Sequence, residues 1–323
     1  MVDRLSEVRY EYIYISILMA MLSHFFRAYR WNLMLWPIGF RLRTLRTLLA
    51  VMVGYFANLL VPRMGEVTRC GVLKKTDNVP MTASLGSVVA ERMVDLVVLI
   101  LMVIAAFIIE FDKLQGFMGG IYDSNAAFIS QNILTVLIVV GSLIIILLIV
   151  FLLIRRHKET LKKYTFFLKI RQWLREIVDG ISSITKVEKV WQFVFATLAI
   201  WILYYTMSYI VVFALPETDS LDLLAGLSLL AMGSIGMAAP VQGGFGTYHA
   251  LVAGVLVLYG INEEDGVLFA TLLHTSQVIF ILVVGGISFI ISLLINKKDA
   301  RHEKTLKNNR DEIKEQGNGK ESL

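Results

Sequence analysis

Charge is scarce in this sequence. Only 18% of its 323 residues are Asp, Glu, Lys or Arg, against the roughly 25% usual in soluble domains, while 56% are hydrophobic. A mean hydropathy of +0.67 agrees, and together these exclude an ordinary soluble domain. Cysteine is scarcer still: Cys70 stands alone, which excludes an intrachain disulfide and any cysteine-based metal motif. The sequence contains no Gly-x-Ser-x-Gly, no His-Glu-x-x-His and no P-loop. Its largest polar pieces, 155–189 and 296–323, are too short for a catalytic domain. No enzyme activity, cofactor or metal site is therefore expected. The start, MVDRLSEVRYEYIYISILMAML, lacks a small-residue cleavage site, so it does not read as a signal peptide. The basic pI of about 9.2 does not point to nucleic acid. Its basic residues gather beside apolar runs, the pattern of membrane topology and anionic lipid.

Long uncharged runs dominate what is present. Residues 132–154, NILTVLIVVGSLIIILLIVFLLI, can span the ~30 Å of a bilayer's hydrocarbon. Residues 190–215 and 267–295 can too, and none of the three has a polar face at helical period. The pattern predicts an all-α, polytopic transmembrane bundle with six to eight membrane segments, at 12–36, 44–61, 83–109, 132–154, 190–215, 222–240, 244–260 and 267–295. It forms one membrane domain over 1–295, followed by a disordered tail at 296–323.

Basic residues orient these segments. The connection 155–189 holds ten Lys or Arg and the tail holds eight, which places both in the cytoplasm. The loops 110–131, 216–222 and 261–266 hold one Lys and nine acidic residues, which places them outside. The pair 222–240 and 244–260 then begins and ends outside, as two crossings or as a re-entrant hairpin. Segment 44–61 has basic residues at both ends, among them Arg43, Arg46, Arg63 and Arg69. One crossing cannot have both ends inside, so the segment is expected to enter from the cytoplasm and turn back near Pro62, lining a cavity. Helix 12–36 then runs inward from an external Met1.

Several charges fall at membrane depth. Leu96–Ile109 is uncharged for only 14 residues, about 21 Å of helix. The preceding turn with Glu91, Arg92 and Asp95 is therefore drawn into or against the hydrocarbon. Glu91 and Asp95 share a face, and Arg92 and Asp95, at i,i+3, are placed to pair. Charges there need partners or water: a structural ion pair between helices or the lining of a substrate cavity, with Arg63 or Arg69 as the further partner. In the first helix Ser23, Arg27 and Arg30 share a face, with Trp31 expected at the interface. Arg30 is placed either to snorkel to headgroups or, with Arg27, to line a headgroup site.

A second break falls in GSIGMAAPVQGGFGTYHALVAG, where Pro240, Gly243, Gly244 and Gly246 stop one helix and start another. Pro240-x-x-Gly243 echoes Pro62-x-x-Gly65, and paired broken segments suit a binding site between two halves of a transporter. A tight turn between two crossings fits the same residues. His249 and His274 read as packed polar residues or as a relay. Residues 158–189 alternate basic and apolar positions, as an interfacial or ordinary cytoplasmic helix does.

HFFRAYRWNLML, NLLVPRMGEVTRCGVL, VVAERMVDLVVL and APVQGGFGTYHALVAGVLVLYGI, in that order, resemble the lysylphosphatidylglycerol synthase transmembrane region. This family is also called flippase-like or UPF0104, and the resemblance covers about residues 10–295. It implies a bacterial or archaeal multi-pass protein of the cytoplasmic (inner) membrane that translocates lipid headgroups, with membrane lipids as partners and no nucleic acid. On the motif positions it implies a headgroup role for Arg27, Arg30, Arg63, Glu66, Arg69, Glu91, Arg92 and Asp95. Pro62, Gly65, Pro240, Gly243, Gly244 and Gly246 would shape the cavity. The aminoacyl-transferring domain of the synthases is absent from the sequence, and relatives carry a further helix before the position of Tyr10. Three functions compete: a flippase for an anionic phospholipid or lipid-linked precursor, a non-transporting partner of an envelope-lipid biosynthesis enzyme, and a membrane-embedded transferase on lipid-linked sugars.

Overall fold

A computed structural model describes residues 6–111, 182, 185–239 and 241–318, those from 296 onward as backbone alone. Among the described residues there is no strand and there are eight α-helices: α1 Tyr10–Leu35, α2 Thr44–Leu60, α3 Gly65–Asp77, α4 Met81–Ile109, α5 Val190–Ile210, α6 Leu223–Ala238, α7 Thr247–Leu258 and α8 Glu263–Asn318. The chain is an all-α membrane bundle. Among the described residues three helices are long and apolar enough to cross a bilayer: α4, α5 with its 3₁₀ extension to Ala214, and α8 over Glu263–Ile295. Much of their outward surface is large and apolar, as on α4 at Leu96, Val97, Leu101 and Ile108, and water would not tolerate so continuous a patch.

Local chemistry sets the ends of these helices. Pro37 closes α1 in a 3₁₀ turn that finishes at left-handed Gly39. Pro62 forces the residue before it out of helical geometry, so Val61 is extended and α2 stops at Leu60. Asn78, left-handed, caps α3, and Asp222 caps α6 by accepting from the Ala225 amide at 2.8 Å.

Contacts fix the relative directions. The Arg9 amide donates to the Ala214 carbonyl at 2.9 Å and the Arg9 side chain pairs with Asp219 at 2.8 Å, so the start of α1 and the end of α5 share one end of the bundle. At the other end Arg41 pairs with Glu188. Helices α1 and α5 are therefore antiparallel along their length. The last turn of α4 packs on Leu227, Ala231 and Leu258, at the Asp219 end.

Two hairpins enter this frame from opposite ends. Helices α2 and α3 leave the Arg41 end, turn at 61–64 and return. Helices α6 and α7 leave the Asp219 end, turn at 241–246 and return, with the Tyr259 hydroxyl 3.2 Å from that of Ser228. Their tips meet, because Gln242 Nε2 donates to the Leu59 carbonyl at 2.8 Å. That carbonyl sits in the last turn of α2, where intrahelical partners run out. The pair 222–240 and 244–260 is thus a hairpin of 16 and 12 residues, each short of the ~20 a crossing needs.

Residues 65–77 form the returning helix of the first hairpin. One expectation changes. Residues 296–318, expected as a disordered tail, continue α8; no glycine or proline interrupts 287–316, so nothing stops the helix leaving the apolar segment. The predicted segment 132–154, Pro240 and most of the basic connection 155–189 lie outside the described residues.

Candidate functional site

Where α1, α3 and α4 converge, near the tip of the α2–α3 hairpin, charged side chains are packed out of solvent. Arg27, Arg30 and Arg69 are at most 4% exposed and Glu91 is fully buried. Arg30 Nη2 lies 2.6 Å from Asp95 Oδ1 and 3.2 Å from Glu91 Oε1. Arg27 Nη2 lies 3.0 Å from Asp95 Oδ2, with its Nη1 3.6 Å from Glu91 Oε1. Arg69 Nη2 approaches Glu91 Oε2 to 2.8 Å, a charge contact whose angle falls outside hydrogen-bond geometry. Above this group, Arg92 Nη2 donates to Glu66 Oε1 at 2.9 Å, at the mouth of a cleft that Tyr55, Asn58 and Arg69 also line.

Helical spacing explains the assembly. Glu91 and Asp95 lie one turn apart on the face of α4 that meets α1, and Arg27 and Arg30 face them. Gly54 and Gly65 let α2 and α3 cross closely: a Cβ on Gly54 would stand 2.8 Å from the Gly65 carbonyl. That approach carries Arg69 to Glu91. Trp31 supports the group, with its ring 4.6 Å from the Arg69 guanidinium carbon and its Nε1 donating to Ser87 at 2.9 Å.

Three guanidiniums face two carboxylates, a surplus of one positive charge. The Arg92–Glu66 pair is neutral and leaves the surplus unchanged. Arg27 Nε and Nη1, Arg30 Nε, and Arg69 Nε and Nη2 are buried without a hydrogen-bond partner. Buried donors are usually satisfied, and guanidinium groups match the paired oxygens of phosphate. The site is therefore cationic, rich in unused donors and open at one cleft. Among the described residues no cluster of metal-ligating side chains accompanies it.

The structure brings seven of the eight expected headgroup residues together. Arg63 stays apart: it is exposed at the hairpin tip, makes no ion pair among the described residues, and holds a left-handed backbone with φ of 62°. The expected Arg92–Asp95 pair does not form, because each finds its partner on another helix: Arg92 pairs with Glu66, and Asp95 with Arg27 and Arg30. Arg30 does not snorkel and Trp31 is not interfacial; both are completely buried. The second break packs as a tip: Gly243, Gly244 and Gly246 have φ of 59°, 75° and 82°, a left-handed region that side-chain-bearing residues avoid. His274 Nε2 donates to the Gly243 carbonyl at 2.8 Å, with His249 beside it at 4.9 Å between rings. Thr197, which bonds Arg30, and Tyr204, whose ring Arg27 approaches to 5.9 Å, were missed. Both lie on α5, an uncharged run whose polar groups carried no signal of an arginine partner.

The profile described as the lysylphosphatidylglycerol synthase TM region matches residues 1–285. A UPF0104 membrane protein of Methanocaldococcus jannaschii is 23% identical over 315 residues, spanning 90% of this chain and 88% of that relative. No solved structure matches the chain.

Proposed function

The chain belongs to the lysylphosphatidylglycerol synthase transmembrane-region family, and from that premise we propose that it translocates a lipid with an anionic phosphate headgroup across the cytoplasmic membrane. The observation that carries this reading is the surplus positive charge of Arg27, Arg30 and Arg69 over Glu91 and Asp95, buried with unused N–H donors. A buried net charge costs at least a few kcal/mol unless something offsets it, and an anion that docks there does so. The carboxylates hold the arginines in place while no lipid is bound. Two hairpins whose tips meet fit a headgroup path with acyl chains left in lipid. In this reading 155–189 and the end of α8 face the cytoplasm, and the resemblance adds transport rather than aminoacylation.

Vesicles reconstituted with the full chain test the proposal, using fluorescent phosphatidylglycerol and a polyprenyl phosphate as separate probes. Either lipid should cross leaflets faster than in empty vesicles, and an Arg30→Gln/Arg69→Gln variant should lose the excess. Rates equal to empty vesicles for both lipids would reject transport. Full cellular function in that variant, with one stoichiometric enzyme co-purifying, would favour a non-transporting partner instead.

A further inference from the structure

The cleft carries a second feature that the cluster's charge does not explain. Glu66 stands in the first turn of the 13-residue helix α3, where the helix dipole favours a negative group. One of its oxygens takes the Arg92 hydrogen bond, while Oε2 is buried with no hydrogen-bond partner. The Gly65 amide at the same terminus is held by Asn58 Oδ1 at 2.7 Å. Arg69, only 3% exposed, lines the inner wall with Nε lacking a hydrogen-bond partner and Nη2 in charge contact with Glu91, and Arg92, at 43% side-chain exposure, stands at the mouth.

We infer that Glu66 is the site's own stand-in anion: its carboxylate occupies the seat that a phosphodiester takes first, between Arg92, Arg69 and the N-terminus of α3. This rests on the anionic-headgroup reading above and adds where the headgroup docks and what it displaces. A carboxylate and a phosphodiester each present two oxygens that share one negative charge. Exchange of one for the other at Arg92 leaves the local charge balance intact and frees the way to Arg69. Glu66 therefore competes with the ligand: it keeps Arg92 paired when no lipid is present and lowers the affinity for lipid that arrives.

Isothermal titration of the full chain in uncharged detergent tests this, with short-chain phosphatidylglycerol as the probe and phosphatidylcholine and inorganic phosphate as parallel arms. Glu66→Gln removes the competitor and keeps the shape, so it should bind phosphatidylglycerol about tenfold tighter, the equivalent of one charge-assisted hydrogen bond. Arg92→Ala should bind more weakly, and in that background Glu66→Gln should bring no gain. A purely structural Glu66 would give the opposite sign, weaker binding with a lower melting temperature. If inorganic phosphate follows the same pattern, the seat reads the phosphate group itself; if phosphatidylglycerol alone does, it reads the lipid. Both support the seat. Wild-type binding with Glu66→Gln unchanged or weaker overturns this inference and leaves the headgroup reading standing. Absence of binding in both wild type and Glu66→Gln overturns both.

Discussion

Glu91 is the residue on which the buried cluster turns. It touches Arg27, Arg30 and Arg69 at once, from a fully buried position. Removing one member of a buried charge group strands its partners, typically at a cost of about 3–5 kcal/mol. Glu91→Gln leaves three guanidiniums facing Asp95 alone and should lower stability by that order. Arg69→Gln leaves two against two. It gives up the charge contact with Glu91 and the stacking on Trp31, but no charge is stranded, so its cost should be about 1–3 kcal/mol. Thermal unfolding in detergent checks the order: wild type highest, then Arg69→Gln, then Glu91→Gln. The reverse order would mean that the surplus charge is not felt by the fold.

Among the elements, the α2–α3 hairpin delivers Arg69, and it depends on the glycine crossing. An added methyl at Gly54 meets the Gly65 carbonyl at 2.8 Å, a backbone atom that cannot swing aside. Overpacking of this kind costs about 1–3 kcal/mol, so Gly54→Ala should lower the melting temperature and weaken anion binding together, by moving Arg69 from Glu91. A loss of stability with unchanged binding would mean that the crossing does not position Arg69. At this scale the sequence was readable where hydrophobic runs met punctuation: Pro62 and the 243–246 glycines end or begin helices as their chemistry dictates. The turn of charge on α4 was readable as buried, because Leu96–Ile109 is too short to span alone. Helix α3 was not readable, since its apolar residues follow no face and its stability comes from Gly54 and Asn58 on another helix. Nor were the pairings: the i,i+3 spacing of Arg92 and Asp95 says nothing of Arg27, Arg30 and Glu66, which sit nearer in space and claim them.

At the scale of the molecule, the described residues make a frame of long helices with a hairpin driven in from each end, joined where Gln242 reaches the end of α2. This arrangement sets Asp219 and Glu188 at opposite ends, and the proposed topology puts Asp219 outside and Glu188 in the cytoplasm. The lone native cysteine, Cys70, is buried, so introduced cysteines can be read against a quiet background. In intact cells a membrane-impermeant maleimide should label Asp219→Cys at once and Glu188→Cys only after permeabilisation. Labelling of both from the same side would contradict the bundle's direction.

The central claim is that the buried arginine surplus holds an anionic phosphate headgroup, and native mass spectrometry of the gently purified full chain tests it most directly. The account predicts that wild type retains an anionic phospholipid or polyprenyl phosphate. It also predicts that Arg69→Gln, charge-balanced and folded, retains much less of it. Equal retention by both, or wild type carrying only zwitterionic lipid, would contradict the account.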